Sequence, residues 1–251
     1  MASNRRWNPR RGAAATVAIL LALALAQPAR GDEPNTLTPE EKQAGWQLLF
    51  DGRTTAGWRG YRSDRMPESW RVENGSLLAR REKGKSAGDI VTVDEYGDFE
   101  LTLQWKMTPG GNSGVIYRAS EALEFAWETG PEYQILDNAG HLDGLNRLAS
   151  VGACYAVFAP AKDATRPLGA WNDTRIVARG KHVEHWLNGE KLLEYDVDSR
   201  VWQAHVKTSK FYLTAYGKGN WGRAPKGHIA LQDYGGGIEF RNIKIRPLSP
   251  P

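Results

Sequence analysis

The densest grouping of side chains able to move a proton lies in Gly130-Pro131-Glu132-Tyr133-Gln134-Ile135-Leu136-Asp137-Asn138, with His141 close behind. Carboxylates and imidazoles are the usual general acids and bases of enzymes. Side chains of an extended strand alternate between faces, so Glu132, Gln134 and Leu136 share one face, and Tyr133 and Ile135 the other. Asp137 joins Glu132 only if the strand bulges or ends after Gln134. A plain solvent-facing strand edge also produces polar residues at this period. Carboxylate, amide and imidazole gathered within aromatic surroundings argue instead for a site.

The elements that must position these groups read as strands punctuated by turns. Residues 46–50 form a short apolar run closed by Asp51-Gly52. Asn74-Gly75 and Asn188-Gly189 are two-residue hairpin turns, because both turn positions require positive φ. Residues 99–107 alternate, with Phe99, Leu101, Leu103 and Trp105 on one side and Glu100, Thr102, Gln104 and Lys106 on the other, as in a strand with one wet face. Gly110-Gly111-Asn112-Ser113-Gly114 turns into a strand at 115–118. Further strands are expected at 70–72, 76–79, 153–158, 174–178, 182–187, 190–195, 211–215, 228–232 and 238–245. No long amphipathic helix and no internal repeat is visible. A dozen or so strands at this length predict an all-β domain, a two-sheet sandwich or jelly roll.

Composition narrows the partners. Residues 1–31 hold Arg5, Arg6, Arg10, Arg11 and Arg30 and no acid, so the formal +4 becomes 28 basic against 29 acidic residues without them. A net charge near −1 and no dense basic patch argue against nucleic acid and anionic membrane. Ten Trp and nine Tyr suit β-sheet cores and also sugar-binding clefts, where flat rings stack on pyranoses. The basic n-region and the apolar run of 13–26 have the form of a signal peptide, with cleavage expected after Ala26 or Gly31. The expected organisation is a signal peptide at 1–31, a linker at 32–44 with a short helical turn from Pro39 to Ala44, and a globular domain at 45–248. The single Cys154 forms neither an intrachain disulfide nor a Cys-based metal site and is expected to be an inert core thiol. An exported chain without disulfides fits a bacterial cell envelope, periplasmic or secreted, with no stable membrane anchor after cleavage.

The offsets Glu132-x-Gln134-x-x-Asp137 resemble the Glu-x-Asp-x-x-Glu catalytic strand of laminarinase-like β-glucanases, with an amide and a shorter acid at the second and third places. A retaining glycosidase needs its two carboxyls about 5–5.5 Å apart. A closer resemblance spans nearly all of the expected domain. Pieces in order are Gly45-Trp46-Gln47-Leu48-Leu49-Phe50-Asp51-Gly52 with Gly57-Trp58, Trp70-Arg71-Val72-Glu73-Asn74-Gly75, Glu95-Tyr96-Gly97-Asp98-Phe99-Glu100-Leu101, Gly110-Gly111-Asn112-Ser113-Gly114 with Tyr117-Arg118, and the Glu132 segment. Then follow Gly169-Ala170-Trp171-Asn172, His185-Trp186-Leu187-Asn188-Gly189, and Gly227-His228-Ile229-Ala230-Leu231-Gln232-Asp233 leading to Phe240-Arg241-Asn242-Ile243. Together they are similar to the 3-keto-disaccharide hydrolase family, which has a concanavalin A-like jelly-roll fold. Gln232-Asp233-Tyr234-Gly235 departs from the family's usual Gln-Asp-His-Gly.

The resemblance implies cleavage of glycosides already oxidised to a ketone at C3. The ketone acidifies the C2 proton; its removal gives an enolate, the C1 substituent leaves, and water adds back. Such an enzyme needs a base near neutral pKa, a donor or cation at the enolate oxygen, and an acid for the leaving oxygen. On this reading Glu132 or His141 is the base, Asp137 the other acid/base partner, and Arg118 the oxyanion or hydroxyl donor. Gln134, Asn138, Asn172 and Gln232 would hold substrate hydroxyls, and Trp127, Trp186 and Trp221 are candidate stacking platforms. His185 and His228 read better as structural histidines. The expected partner is a small carbohydrate. No cofactor is expected, and a structural calcium stays open because the sequence locates no metal site. Two alternatives remain at this level: a non-catalytic, lectin-like glycan-binding domain, and a laminarinase-like glycosidase.

Overall fold

A computed structural model describes residue 1 and residues 33–81, 87–213 and 220–250; the expected leader beyond Met1 lies outside the described residues. Thirteen strands follow in chain order: β1 (Gln47–Leu48), β2 (Trp58–Gly60), β3 (Trp70–Glu73), β4 (Ser76–Ala79), β5 (Ile90–Thr92), β6 (Phe99–Met107), β7 (Asn112–Ala119), β8 (Glu132–Leu136), β9 (Asn172–Arg179), β10 (His182–Leu187), β11 (Glu190–Asp196), β12 (His228–Leu231) and β13 (Ile238–Pro247). Two short helices join them, α1 (Pro39–Gln43) and α2 (Arg200–Thr208).

The strands form two antiparallel sheets. The larger runs β11-β10-β9-β6-β13-β4-β3, with β1 added to β13; the smaller runs β2-β5-β12-β7-β8. Period-two patterning explains the sandwich: Leu101, Leu103 and Trp105 from the larger sheet meet Val115, Tyr117, Tyr133 and Ile135 from the smaller in one buried core. The hairpin turns have the expected backbone, with φ of 49° and 74° at Asn74-Gly75 and 50° and 85° at Asn188-Gly189. The fold is the all-β, two-sheet jelly roll.

Two local expectations need correction, and a third gains detail. The expected linker, from residue 33, is docked on the domain and carries the expected helical turn as α1. The Asn35 amide donates to Asn242 Oδ1 and the Asn242 amide to Asn35 Oδ1, at 2.5 and 2.8 Å. The Thr38 capping box starts α1, and Lys244 binds the Glu41 carboxylate at 2.7 Å. Residues 210–213 form a 3₁₀ turn after α2, not a strand. α2 escaped notice because it buries only Trp202 and Val206, too few positions for a visible period. Residues 153–158 double back, with Ala156 at φ 59°, so that Cys154 bridges both Tyr133 and Phe158. Cys154 is nonetheless buried, and burial pushes its thiol up to about 12.

Candidate active site

β8 is the last strand of the smaller sheet, paired with β7 on one side and hydrogen-bonded on the other to the 152–155 segment, which puts Tyr155 beside Glu132. Its Tyr133 and Ile135 point into the core, which leaves Glu132 and Gln134 on the opposite, outer face. Gly114 of β7 pairs with Gln134, and the Glu132 side chain lies across that glycine: a Cβ at 114 would stand 2.2 Å from Glu132 Oε1. The missing side chain at 114 is therefore what makes room for the carboxyl. Glu132 is only 3% exposed. The neighbours assign the Gln134 amide: turned toward Ser113 O and Glu132 Oε1, its nitrogen can donate to them at 3.1 and 3.0 Å, whereas the reverse orientation sets its oxygen against theirs.

Loops roof this patch. Trp127 comes from the 3₁₀ turn of Ala126–Glu128, Asp143 from that of Leu142–Leu145, and Lys210 from that of Lys210–Leu213. With Tyr155, Tyr234, Asn112 and Gln232 they enclose Glu132 and Gln134 in an inner chamber of about 160 Å³. Lys210 Nζ sits 4.3 Å from the Trp127 ring centroid and 4.4 Å from that of Tyr155, an aromatic seat for a cation. Among the described residues it makes no ion pair. Burial lowers its pKa, opposed by the charges of Glu132 and Asp143.

The electrostatics set the chemistry. Burial, reinforced by the negative charge of Asp89 and opposed by Lys210, pushes Glu132 up to about 8. Burial likewise raises Asp89 to about 6, although the Asp233 amide donates to its carboxylate at 2.9 Å. Tyr155 is pushed up to about 12, chiefly by burial, and stays a phenol O–H donor at neutral pH. A carboxyl that changes charge near neutrality, beside a cation and a phenol, is equipped to take a proton and stabilise the anion that results. The chamber shares Trp127, Gln232 and Tyr234 with an outer cleft of about 720 Å³, whose walls include Tyr61, Arg81, Asp89, Glu124 and Phe125.

Of the residues singled out by sequence, Trp127, Glu132, Gln134 and Gln232 come together here; the others do not. β8 ends at Leu136, and Asp137 turns into the following loop. There it accepts from the amides of Gly110, Ala139 and Gly140, chiefly Gly110, which hold its pKa below the usual range. The glucanase-like carboxyl pair is therefore absent. Asn138 bridges the Val151 amide and the Asp163 carboxylate. Asn172, on the other sheet, accepts from the Arg166 amide and the Asn188 side chain. Arg118 has φ 51°, which diverts it to Gly97 O, Gly180 O and Asp98, and its guanidinium is spent on those loops. Trp186 lies on the outer face of the larger sheet under Arg175, and Trp221 is core, stacked on Phe211 at 4.1 Å.

His141 stands at the rim. Its Nδ1 accepts from the Asp143 amide, and its ring meets the Tyr234 ring edge-on at 6.3 Å. Tyr234, at the place where the family pattern has His, thus both meets His141 and lines the chamber. His185 is a core histidine held between Tyr117 Oη and Gly152 O; burial pulls it down to about 4, so it is neutral. Sequence reasoning missed Lys210, Tyr155, Asp143 and Asp89. Asn112 carried a signal, since it sits inside the glycine-rich turn that opens β7. Among the described residues, His182, Glu184 and Glu194 have metal-like spacing, but Lys191 Nζ already lies 2.6 Å from Glu194 and 3.5 Å from Glu184.

A jelly roll whose smaller sheet carries a near-neutral carboxyl in a chamber opening onto a cleft walled by aromatic and polar side chains has the makings of a carbohydrate-active enzyme. Comparison with known proteins agrees. Residues 45–246 match the family described as the 3-keto-alpha-glucoside-1,2-lyase-like domain. A Bacteroides thetaiotaomicron protein named 3-keto-disaccharide hydrolase is 33% identical over 228 residues, 81% of this chain and 79% of the relative. Two Parabacteroides distasonis structures, provisionally named glycosyl hydrolases, superpose with TM-scores of 0.77 and 0.63 at 33% and 28% identity. They cover 86% and 81% of this chain and 100% and 99% of theirs. The chain belongs to the 3-keto-alpha-glucoside-1,2-lyase-like family and is a glycoside-cleaving hydrolase.

Proposed function

We propose that the enzyme cleaves the glycosidic bond of 3-keto-disaccharides or 3-keto-glycosides by C2 proton abstraction, elimination and hydration. The observation that carries this reading is Glu132, buried and titrating near neutrality in a chamber that also holds the Lys210 ammonium. Ionised Glu132 takes the C2 proton, and the C2–H electrons form the enolate, whose oxygen Lys210 stabilises. Collapse of the enolate breaks the C1–O bond. The departing oxygen leaves as an alcohol with a proton from Tyr155 or water. Water then adds at C1 of the enone, and a proton returns to C2, so the net change is hydrolysis. Gln134 holds the Glu132 carboxylate in place. The name borne by the Bacteroides relative supports the 3-keto substrate class.

The test is turnover of a 3-keto-glucoside and its unoxidised parent in deuterated water. Cleavage of the oxidised sugar alone, with deuterium at C2 of the product and loss of both in Glu132→Gln, is the expected result. General-base removal typically costs roughly 10²–10⁴-fold. Retained exchange in Glu132→Gln with loss in His141→Ala would move the base to His141. Glycan binding without turnover of either sugar would favour a lectin. The reading includes export to the cell envelope; native protein should begin between Gln27 and Asp32, and a start at Met1 in the membrane fraction would refute cleavage.

A further inference from the structure

The chamber and the cleft differ in size and in character. The chamber, about 160 Å³, is below the range of drug-sized ligand sites, whereas the cleft, about 720 Å³, is well inside it. The chamber is floored by β7 and β8 and lined by the proton-moving groups. The cleft is the larger of the two, and Phe125 on its wall is 46% exposed. Phe125 stacks on Trp127 with centroids 5.8 Å apart and planes 10° apart. Trp127 is already engaged by Phe125 and by the Lys210 ammonium, so of this stacked pair the ring face left free for a ligand is that of Phe125. An apolar ring held flat at a cleft wall, near the carboxylates of Asp89 and Glu124 and the Arg81 guanidinium, is a sugar platform with hydroxyl partners.

We infer that the glycosidic bond is cut at the boundary marked by Trp127, Gln232 and Tyr234. The terminal oxidised ring fills the chamber, and a sugar leaving group stacks on Phe125 in the cleft. The enzyme is then exo-acting, and Phe125 is a specificity residue for the leaving group. This rests on the reading above for the chemistry but adds the division of the substrate. An oxidised ring inside a longer chain carries a substituent on both sides, and the chamber has room for one ring only.

The experiment compares methyl 3-keto-glucoside, a 3-keto-disaccharide, and two trisaccharides oxidised at the terminal or the middle ring. Wild-type enzyme is expected to prefer the disaccharide to the methyl glycoside and to cleave the terminally but not the internally oxidised trisaccharide. Phe125→Ala should lower the disaccharide-to-methyl ratio of kcat/KM about three- to tenfold, the worth of one aromatic stacking contact. Phe125→Tyr should keep the ratio. An unchanged ratio in Phe125→Ala, or equal cleavage of both trisaccharides, overturns the inference. Calorimetric binding to Glu132→Gln, with and without Phe125→Ala, reads the same discrimination without turnover. If no 3-keto-glycoside is cleaved at all, the chemistry fails while the binding arm still decides whether the cleft holds a second sugar through Phe125.

Discussion

Gly114→Ala is the most informative single substitution. Its new Cβ would lie 2.2 Å from Glu132 Oε1 and 2.8 Å from Cγ and Cδ, where ordinary contact begins at 3.4 Å, so the carboxyl must retreat by about 1.2 Å (3.4 − 2.2). The glycine cannot yield instead. Its strand is locked between β8 and β12, and its carbonyl accepts from the Gln232 amide at 3.0 Å. Nor is φ the difficulty, since Gly114 is not among the positive-φ residues. Misplacing a catalytic group by about 1 Å can cost about 10²-fold, and overpacking about 1–3 kcal/mol, part of it offset by about 0.4–1 kcal/mol from the stiffer unfolded chain. The expected outcome is kcat/KM on a 3-keto-glycoside down about 100-fold with a cooperative melt only a few degrees lower. In a Glu132→Gln background the alanine should cost almost no further activity. A folded Gly114→Ala within threefold of wild type would refute the claim that the carboxyl acts from this position.

A base works only when ionised, so kcat/KM should climb with pH through about 8, and Asp89→Asn, which removes the negative neighbour, should move that limb to lower pH; a limb that stays in place refutes the coupling. The same raised pKa means the folded state prefers protonated Glu132, a contribution complete below the unfolded carboxyl value and lost as pH rises through about 8. Glu132→Gln should therefore gain stability over wild type as melts are taken from about pH 5 to about pH 9. Lys210→Met should lower kcat by about 10²–10³-fold and move the same rising limb to higher pH, because the cation now holds Glu132 down. Asp137→Asn should melt lower yet keep kcat/KM within a fewfold, measured on the same substrate, since its carboxylate serves the loop amides; a loss above 100-fold would return Asp137 to the chemistry.

Much of the framework was legible because β-structure writes itself in a short period. The alternation of residues 99–107 reappears as one buried and one half-buried face, and the same rule sets Glu132 and Gln134 together on β8. The rule stops where the strand stops. Asp137 sat at a glucanase-like offset, but offsets count residues, and one residue past Leu136 the backbone turns and the carboxylate falls among loop amides. Arg118 was misplaced for a related reason, since a left-handed residue inside β7 breaks the alternation that would have aimed it.

The roof of the chamber was illegible for a different reason. Lys210 lies 78 residues from Glu132 and Asp89 lies 43 away (210 − 132 and 132 − 89), and nothing local in either segment announces that a jelly roll will fold them over β8. Even Lys210's own element was misread, because an aromatic run suits a strand as well as a 3₁₀ turn. The least visible member of the site is Gly114. In sequence it closes a glycine-rich turn, and turn geometry seemed reason enough for it. In the sheet it is opposite Gln134, and its lack of a Cβ lets Glu132 lie flat beneath the roof. The near-neutral carboxyl thus depends on a residue that has no side chain to contribute, and only the register of β7 against β8 exposes the dependence.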